Sequence, residues 1–92
     1  MPLTQKIPYK TPFQKADRFQ IPKQIRGQFK LEVNQLLKVG LRVVGQGEGW
    51  QFFYAKMRED GRINIPKLTM ALVRGEKENL EGYILEVTLE PT

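Results

Sequence analysis

The hexapeptide Arg18-Phe19-Gln20-Ile21-Pro22-Lys23 recurs 44 residues further on as Arg62-Ile63-Asn64-Ile65-Pro66-Lys67. Four of the six positions are identical, and the other two keep an apolar and then an amide side chain. Downstream, Val39-Gly40-Leu41-Arg42-Val43 matches Glu81-Gly82-Tyr83-Ile84-Leu85 once the second copy drops two residues. An ordered pair of matches reads as two copies of a unit of about 45 residues, so one unit's structure predicts the other's.

Each unit reads as strand, strand, helix, strand. In the second, Gln51 to Arg58 is rich in aromatics and forms the first strand. Asp60-Gly61 is a hairpin turn, since glycine takes the positive φ that a tight turn requires. Arg62 to Ile65 is the second strand, with Ile63 and Ile65 on one face. Pro66 suits the first turn of a helix running through Lys67 to Arg74, and Gly75 stops it. Tyr83 to Glu90 alternates, with Tyr83, Leu85, Val87 and Leu89 on its apolar side. The first unit is looser. Its first strand lies within Gln5 to Lys15, where Pro8 and Pro12 confine it to an edge or break it. Arg18 to Ile21 is the second strand. Pro22 opens a helix that stacks Ile25 on Phe29 and is weakened at Gly27. Leu41 to Val44 is the third strand.

One such unit has too little sheet to bury its own face. Two units about a pseudo-twofold axis can close a barrel and remove most free edges. The expected fold is therefore mainly β with two short helices: a six-stranded barrel of two β-β-α-β repeats, about 5–46 and about 50–92, in a single domain spanning 1–92.

Composition narrows the chemistry. The chain has 92 residues, enough for one small domain. It has no Cys and no His, which removes disulfides, thiolate or imidazole catalysis and the usual metal sites. Catalysis would have to run on carboxylates, Lys, Tyr or hydroxyls, so the reading leans against an enzyme, and no cofactor is expected. No apolar run exceeds four residues, which excludes a transmembrane helix. The basic, proline-broken start to Lys15 lacks the apolar core of a secretory signal, and a cytoplasmic location is expected. Charge is uneven: residues 1–46 carry nine Lys/Arg against two acids, and residues 47–92 six against eight. A basic half on a mildly acidic half suggests one face for a polyanion.

The string Arg18-Phe-Gln-Ile-Pro-Lys-Gln-Ile-Arg26-Gly-Gln-Phe29 resembles the core of AbrB-type transition-state regulators. Their pattern is Gly-Arg-x-x-Ile-Pro, then Leu-Arg, then an apolar residue. Here Ile25, Arg26 and Phe29 take the later places. In the second unit Asp60-Gly61-Arg62-Ile-Asn-Ile-Pro66 matches the opening more closely, while Thr69 and Met70 replace the Leu-Arg pair. The similarity runs from about Phe13 onward. Those regulators carry one unit per chain and exchange hairpins between two chains. With both units on one chain, this sequence is more similar to the two-repeat archaeal barrels of the cradle-loop group. That group includes the riboflavin-synthase barrel and the archaeal CTP-dependent riboflavin kinases. The resemblance implies a riboflavin-synthase-like cradle-loop barrel, a monomer in preference to a swapped dimer, and double-stranded DNA as partner.

Carried over residue by residue, the resemblance implies DNA contacts at Arg18, Arg26 and Arg62; repetition extends them to Lys23 and Lys67. Basic side chains at adjacent hairpins and helix starts can neutralise phosphates and release counterions. The bland alternative is solvated edge charge, with Arg18 and Arg62 paired to Asp17 and Asp60. Lys6, Lys10 and Lys15 read as lysines guarding an edge strand. Gly45-Gln46-Gly47-Glu48-Gly49 is followed by a strand, not a helix, so it is a connection and not a phosphate cradle. Trp50, Phe52 and Tyr54 alternate with Phe53, Ala55 and Met57. One set must be core, and the other is free to cover a helix or stack on bases or a flavin. Glu76, Glu78 and Glu81 read as a solvated loop. Two other functions remain open at this point: a nucleotide- or flavin-binding barrel related to the riboflavin kinases, and a protein-binding barrel with an exposed edge.

Overall fold

Prolines and alternating apolar residues set the element ends. The structure, a computed structural model, describes residues 5–45, 49–75, 77 and 79–90. In chain order these form β1 (Ile7–Pro12), β2 (Arg18–Gln20), α1 (Lys23–Gln28), β3 (Leu36–Val43), β4 (Gln51–Lys56), β5 (Arg62–Asn64), α2 (Lys67–Arg74) and β6 (Ile84–Glu90). The expected content of six strands and two helices is present. Pro22 and Pro66 sit one residue earlier than expected, as N-caps with extended backbone (ψ 142° and 148°). Gly75 ends α2 at φ 60°.

β1, β6, β3 and β4 form an antiparallel sheet in that order, and β2 pairs with β5 in a separate two-stranded ribbon. Every ladder between these strands joins the first half of the chain to the second. β1 is an edge strand, as its prolines require. Asp60-Gly61 does make a tight turn, with Gly61 at φ 82° and its N–H bonded to the Arg58 carbonyl at 2.9 Å. The strands flanking it do not form a laddered hairpin, however, because β5 pairs with β2 instead.

The six strands divide between two open sheets and are not joined in one continuous ladder. β2 and β5 are three residues long and are ended by the Ile-Pro steps, too short to ladder with both each other and a sheet edge. One backbone bond ties each to the strand before it: Gln14 N–H to the Arg18 carbonyl (2.9 Å) and Arg58 N–H to the Arg62 carbonyl (3.0 Å). A second pair of bonds also repeats at the 44-residue spacing. Ile21 N–H donates to the Gly61 carbonyl, and Ile65 N–H to the Asp17 carbonyl, both at 2.9 Å.

β3 starts five residues earlier than Leu41, with Gly40 in its middle. A Cβ at Gly40 would lie 2.7 Å from both the Phe52 ring and the Thr88 methyl, so only glycine lets its neighbours close over it. Gly82, its partner in the sequence match, instead lies in the turn before β6 at φ 83°. The two glycines therefore do different jobs, and that part of the repeat alignment does not hold.

The core lies between the sheet and the ribbon. Leu37, Val39 and Leu41 of β3 and Leu85, Val87 and Leu89 of β6 are fully buried, as are Phe19 and Ile63 of the ribbon and Ile21 beside it. Each such side chain contributes roughly 1.5–3 kcal/mol through removal from water. Met70 and Val73 bury one side of α2 in the same cluster. α1 buries no residue fully and rests on the core through the half-buried Ile25 and Phe29, at the expected spacing.

Candidate nucleic-acid interface

Burial of Phe19 and Ile63 turns Arg18, Gln20, Arg62 and Asn64 to the other face of the ribbon. The register sets Arg18 opposite Asn64 and Gln20 opposite Arg62, which places the two arginines on a diagonal. Together with Arg58 and Asp60, Arg18, Arg62 and Asn64 line a surface pocket of about 110 Å³. Three guanidinium groups thus converge against one carboxylate.

Asp60 is the organiser. Its Oδ1 accepts from the Arg62 N–H at 3.1 Å, its Oδ2 lies 3.1 Å from the Arg62 guanidinium, and its carbonyl accepts from Gln20 Nε2 at 2.8 Å. Of the two expected ion pairs, Arg62–Asp60 forms. Arg18 has no ion-pair partner among the described residues. The Nε atoms of both Arg18 and Arg62 are buried without a hydrogen-bond partner. Both orphans fall on the same motif position, so the two arginines share one local setting.

The other candidates fall elsewhere. Arg26 is committed to the fold: its Nε donates to the Ile21 carbonyl at 3.0 Å, and its guanidinium lies where a Cβ on Gly61 would be, 2.6 Å away. Lys23 and Lys67 are exposed at the first positions of α1 and α2. Sequence reasoning missed Arg58. Gln14 stands at the matching place in the first copy, so the repeat gave no basic counterpart to point to it.

A second group of charges lies on the outer face of the four-stranded sheet. Arg42 donates to Glu86 at 2.8 Å, and this hydrogen bond holds the Glu86 carboxyl below its ordinary value, with help from the Arg42 and Lys10 charges. Lys6 lies 3.6 Å from Glu90. On the inner side, burial pushes the Tyr9 phenol upward, and its hydroxyl has no hydrogen-bond partner among the described residues. Among the described residues no group of His, Cys, Asp or Glu could hold a metal, and no helix is long and apolar enough to cross a membrane. Gln46, Gly47 and Glu48 of the glycine-rich connection, and Glu76 and Glu78, lie outside the described residues. Glu81 is exposed in the turn before β6.

This fold is similar to that of a solved structure. The likeness is to the solution structure of PHS018 from Pyrococcus horikoshii. It covers 99% of this chain and 94% of that one, with TM-score 0.73 and 24% identity, and is a likeness of fold alone. No family model and no curated protein matches the chain.

Proposed function

We propose that this protein binds double-stranded DNA as a regulator similar to the AbrB type, and that its ribbon face meets the phosphates. The observation that carries this reading is the convergence of Arg18, Arg58 and Arg62 on one surface pocket whose single carboxylate is that of Asp60. A phosphate oxygen is an acceptor that suits a guanidinium donor and its charge together. Arg18 and Arg62 are the principal contacts and Arg58 an added one. Lys23 and Lys67 are flanking charges, and Arg26 shapes the turn that presents Arg62. Phosphate contacts position a protein on DNA without reading sequence, so the ribbon supplies affinity and register.

The same reading takes the two halves as copies about a pseudo-twofold axis through the Phe19–Ile63 pair. The register supports it, since Arg18 faces Asn64 and Gln20 faces Arg62, each residue meeting the motif counterpart of the other's neighbour. The bonds that recur at a 44-residue spacing support it too. In this view the ribbon and the larger sheet are walls of one cradle-loop barrel, and the axis gives duplex DNA two equivalent arginines.

Fluorescence anisotropy of a labelled random duplex, titrated at several salt concentrations, tests the proposal. Affinity should fall with log salt at about −0.9 per phosphate neutralised. Arg18→Ala combined with Arg62→Ala should weaken binding and flatten that slope by about two contacts. Unchanged affinity and slope in the double variant would remove the ribbon as the contact surface.

A further inference from the structure

A second surface, sharing no residue with the arginine pocket, carries its own chemistry. On the outer face of the four-stranded sheet, β4 exposes Phe52 to 50% and Tyr54 to 61%, with Trp50 half-buried just before them. Phe53, the residue between, is in the core, so these rings are not displaced core residues. Trp50 and Phe52 are stacked, with ring centroids 6.4 Å apart and planes 27° from parallel. Basic side chains from β3 interleave with them: Lys38 Nζ lies 5.2 Å from the Phe52 centroid, and Arg42 Cζ lies 4.7 Å from that of Trp50. Lys56 follows Tyr54 on the same face. Neither β3 nor β4 contains an acid. The acids of the face, Glu86 and Glu90, are on β6, where they meet Arg42 and Lys6.

We infer that this face is a docking surface for single-stranded DNA, in which the Trp50-Phe52-Tyr54 ladder takes unpaired bases and Lys38, Arg42 and Lys56 take the phosphates between them. Exposed rings on alternate residues of a strand stand about two base-stacking rises apart, a spacing that suits successive splayed bases. Every base has a π-face, so such a ladder is tolerant of sequence, and its cations track the backbone. In the free protein Lys38 and Arg42 rest on the rings. An exposed cation–π contact is weaker than base–aromatic stacking, so an arriving strand can lift Lys38 onto a phosphate while a base replaces it, whereas Arg42, held by Glu86, meets a phosphate from where it lies. Gly40 keeps the platform flat: any side chain there would push Phe52 off the sheet. The partner is DNA, because stacking and phosphate contact require no 2′-hydroxyl.

The test is a titration of fluorescein-labelled, twelve-nucleotide oligo-dT into the full chain at low salt, followed by anisotropy and by Trp50 emission. Binding with quenching of Trp50 is expected. Phe52→Ala with Tyr54→Ala should weaken it by about tenfold or more, while Phe52→Tyr with Tyr54→Phe restores it. Lys38→Gln should flatten its salt dependence by about one contact, a readout that keeps the test open if the alanine variant loses its fold. Arg18→Ala with Arg62→Ala should leave oligo-dT binding intact, so this surface and the ribbon stand or fall separately. No binding, or equal loss in the ribbon variant, overturns the inference. Tighter binding of oligo-rU overturns the choice of DNA. A dimer in sedimentation that Phe52→Ala with Tyr54→Ala abolishes would show the face to be covered by a second copy instead, and overturns it as well.

Discussion

The two Ile-Pro segments begin from nearly the same six residues and end in different local chemistry. Around the first, the turn before β2 holds Ala16 and Asp17 at φ 64° and 54°, a left-handed backbone that non-glycine residues adopt only at a cost. Around the second, Gly61 takes φ 82° with no such cost, and Asp60 is free to bind Arg62. The helices differ likewise. Arg26 reaches across from α1 to lie over Gly61, whereas Met70, at the same motif position in α2, is buried in the core. A single arginine from the first half thus braces the turn of the second, and no side chain among the described residues is seen bracing the first in the same way. The lesson is that a repeat fixes backbone pairing more firmly than it fixes side-chain roles.

The largest effect should come from breaking the contact that both segments share. Phe19 and Ile63 face each other, fully buried, at the middle of the ribbon. Phe19→Ala should cost about 3–5 kcal/mol and Ile63→Ala about 2–5 kcal/mol, measured by urea unfolding. Hydrogen exchange should show protection lost in both halves with either variant. Loss confined to the mutated half would separate the two segments.

An intermediate effect is expected at the brace. Gly61→Ala should destabilise by about 2 kcal/mol, combining left-handed strain with displacement of the Arg26 hydrogen bond. In an Arg26→Ala background the same substitution should cost less, since the side chain it collides with is gone. Equal costs in the two backgrounds would mean that Arg26 does not brace the turn. The smallest effect belongs to the unbraced turn. Ala16→Gly should raise stability by about 0.5–1 kcal/mol, the relief of strain offset in part by a more flexible unfolded chain. A loss of stability in thermal melts would show that the first turn is not strained.

Local chemistry made much of this legible. Alternation separated Phe53 and Met57 from Phe52 and Tyr54 because strand side chains point to opposite faces, and the buried and exposed sets fall that way. Pro8 and Pro12 announced an edge strand because proline cannot donate to a ladder. Of the site, Arg18 and Arg62 were legible from their motif positions. Arg58 was not, because nothing local says that it converges on Arg62 from the far side of a turn. Arg26 read as a contact because its type suggests one. The carbonyl and the glycine that hold it come from other segments.

The sequence by itself determined the elements: how many strands and helices there are, in what order they come, and which side chains of a strand face inward. Those properties follow from backbone sterics and side-chain periodicity, which act over a few residues. Only the tertiary structure decided that each ladder runs between the halves, that β5 abandons β4 for β2, and that Gly40 lies beneath Phe52 in mid-strand. Strand partners are chosen by the burial of faces contributed from distant parts of the chain, and no local pattern encodes that choice.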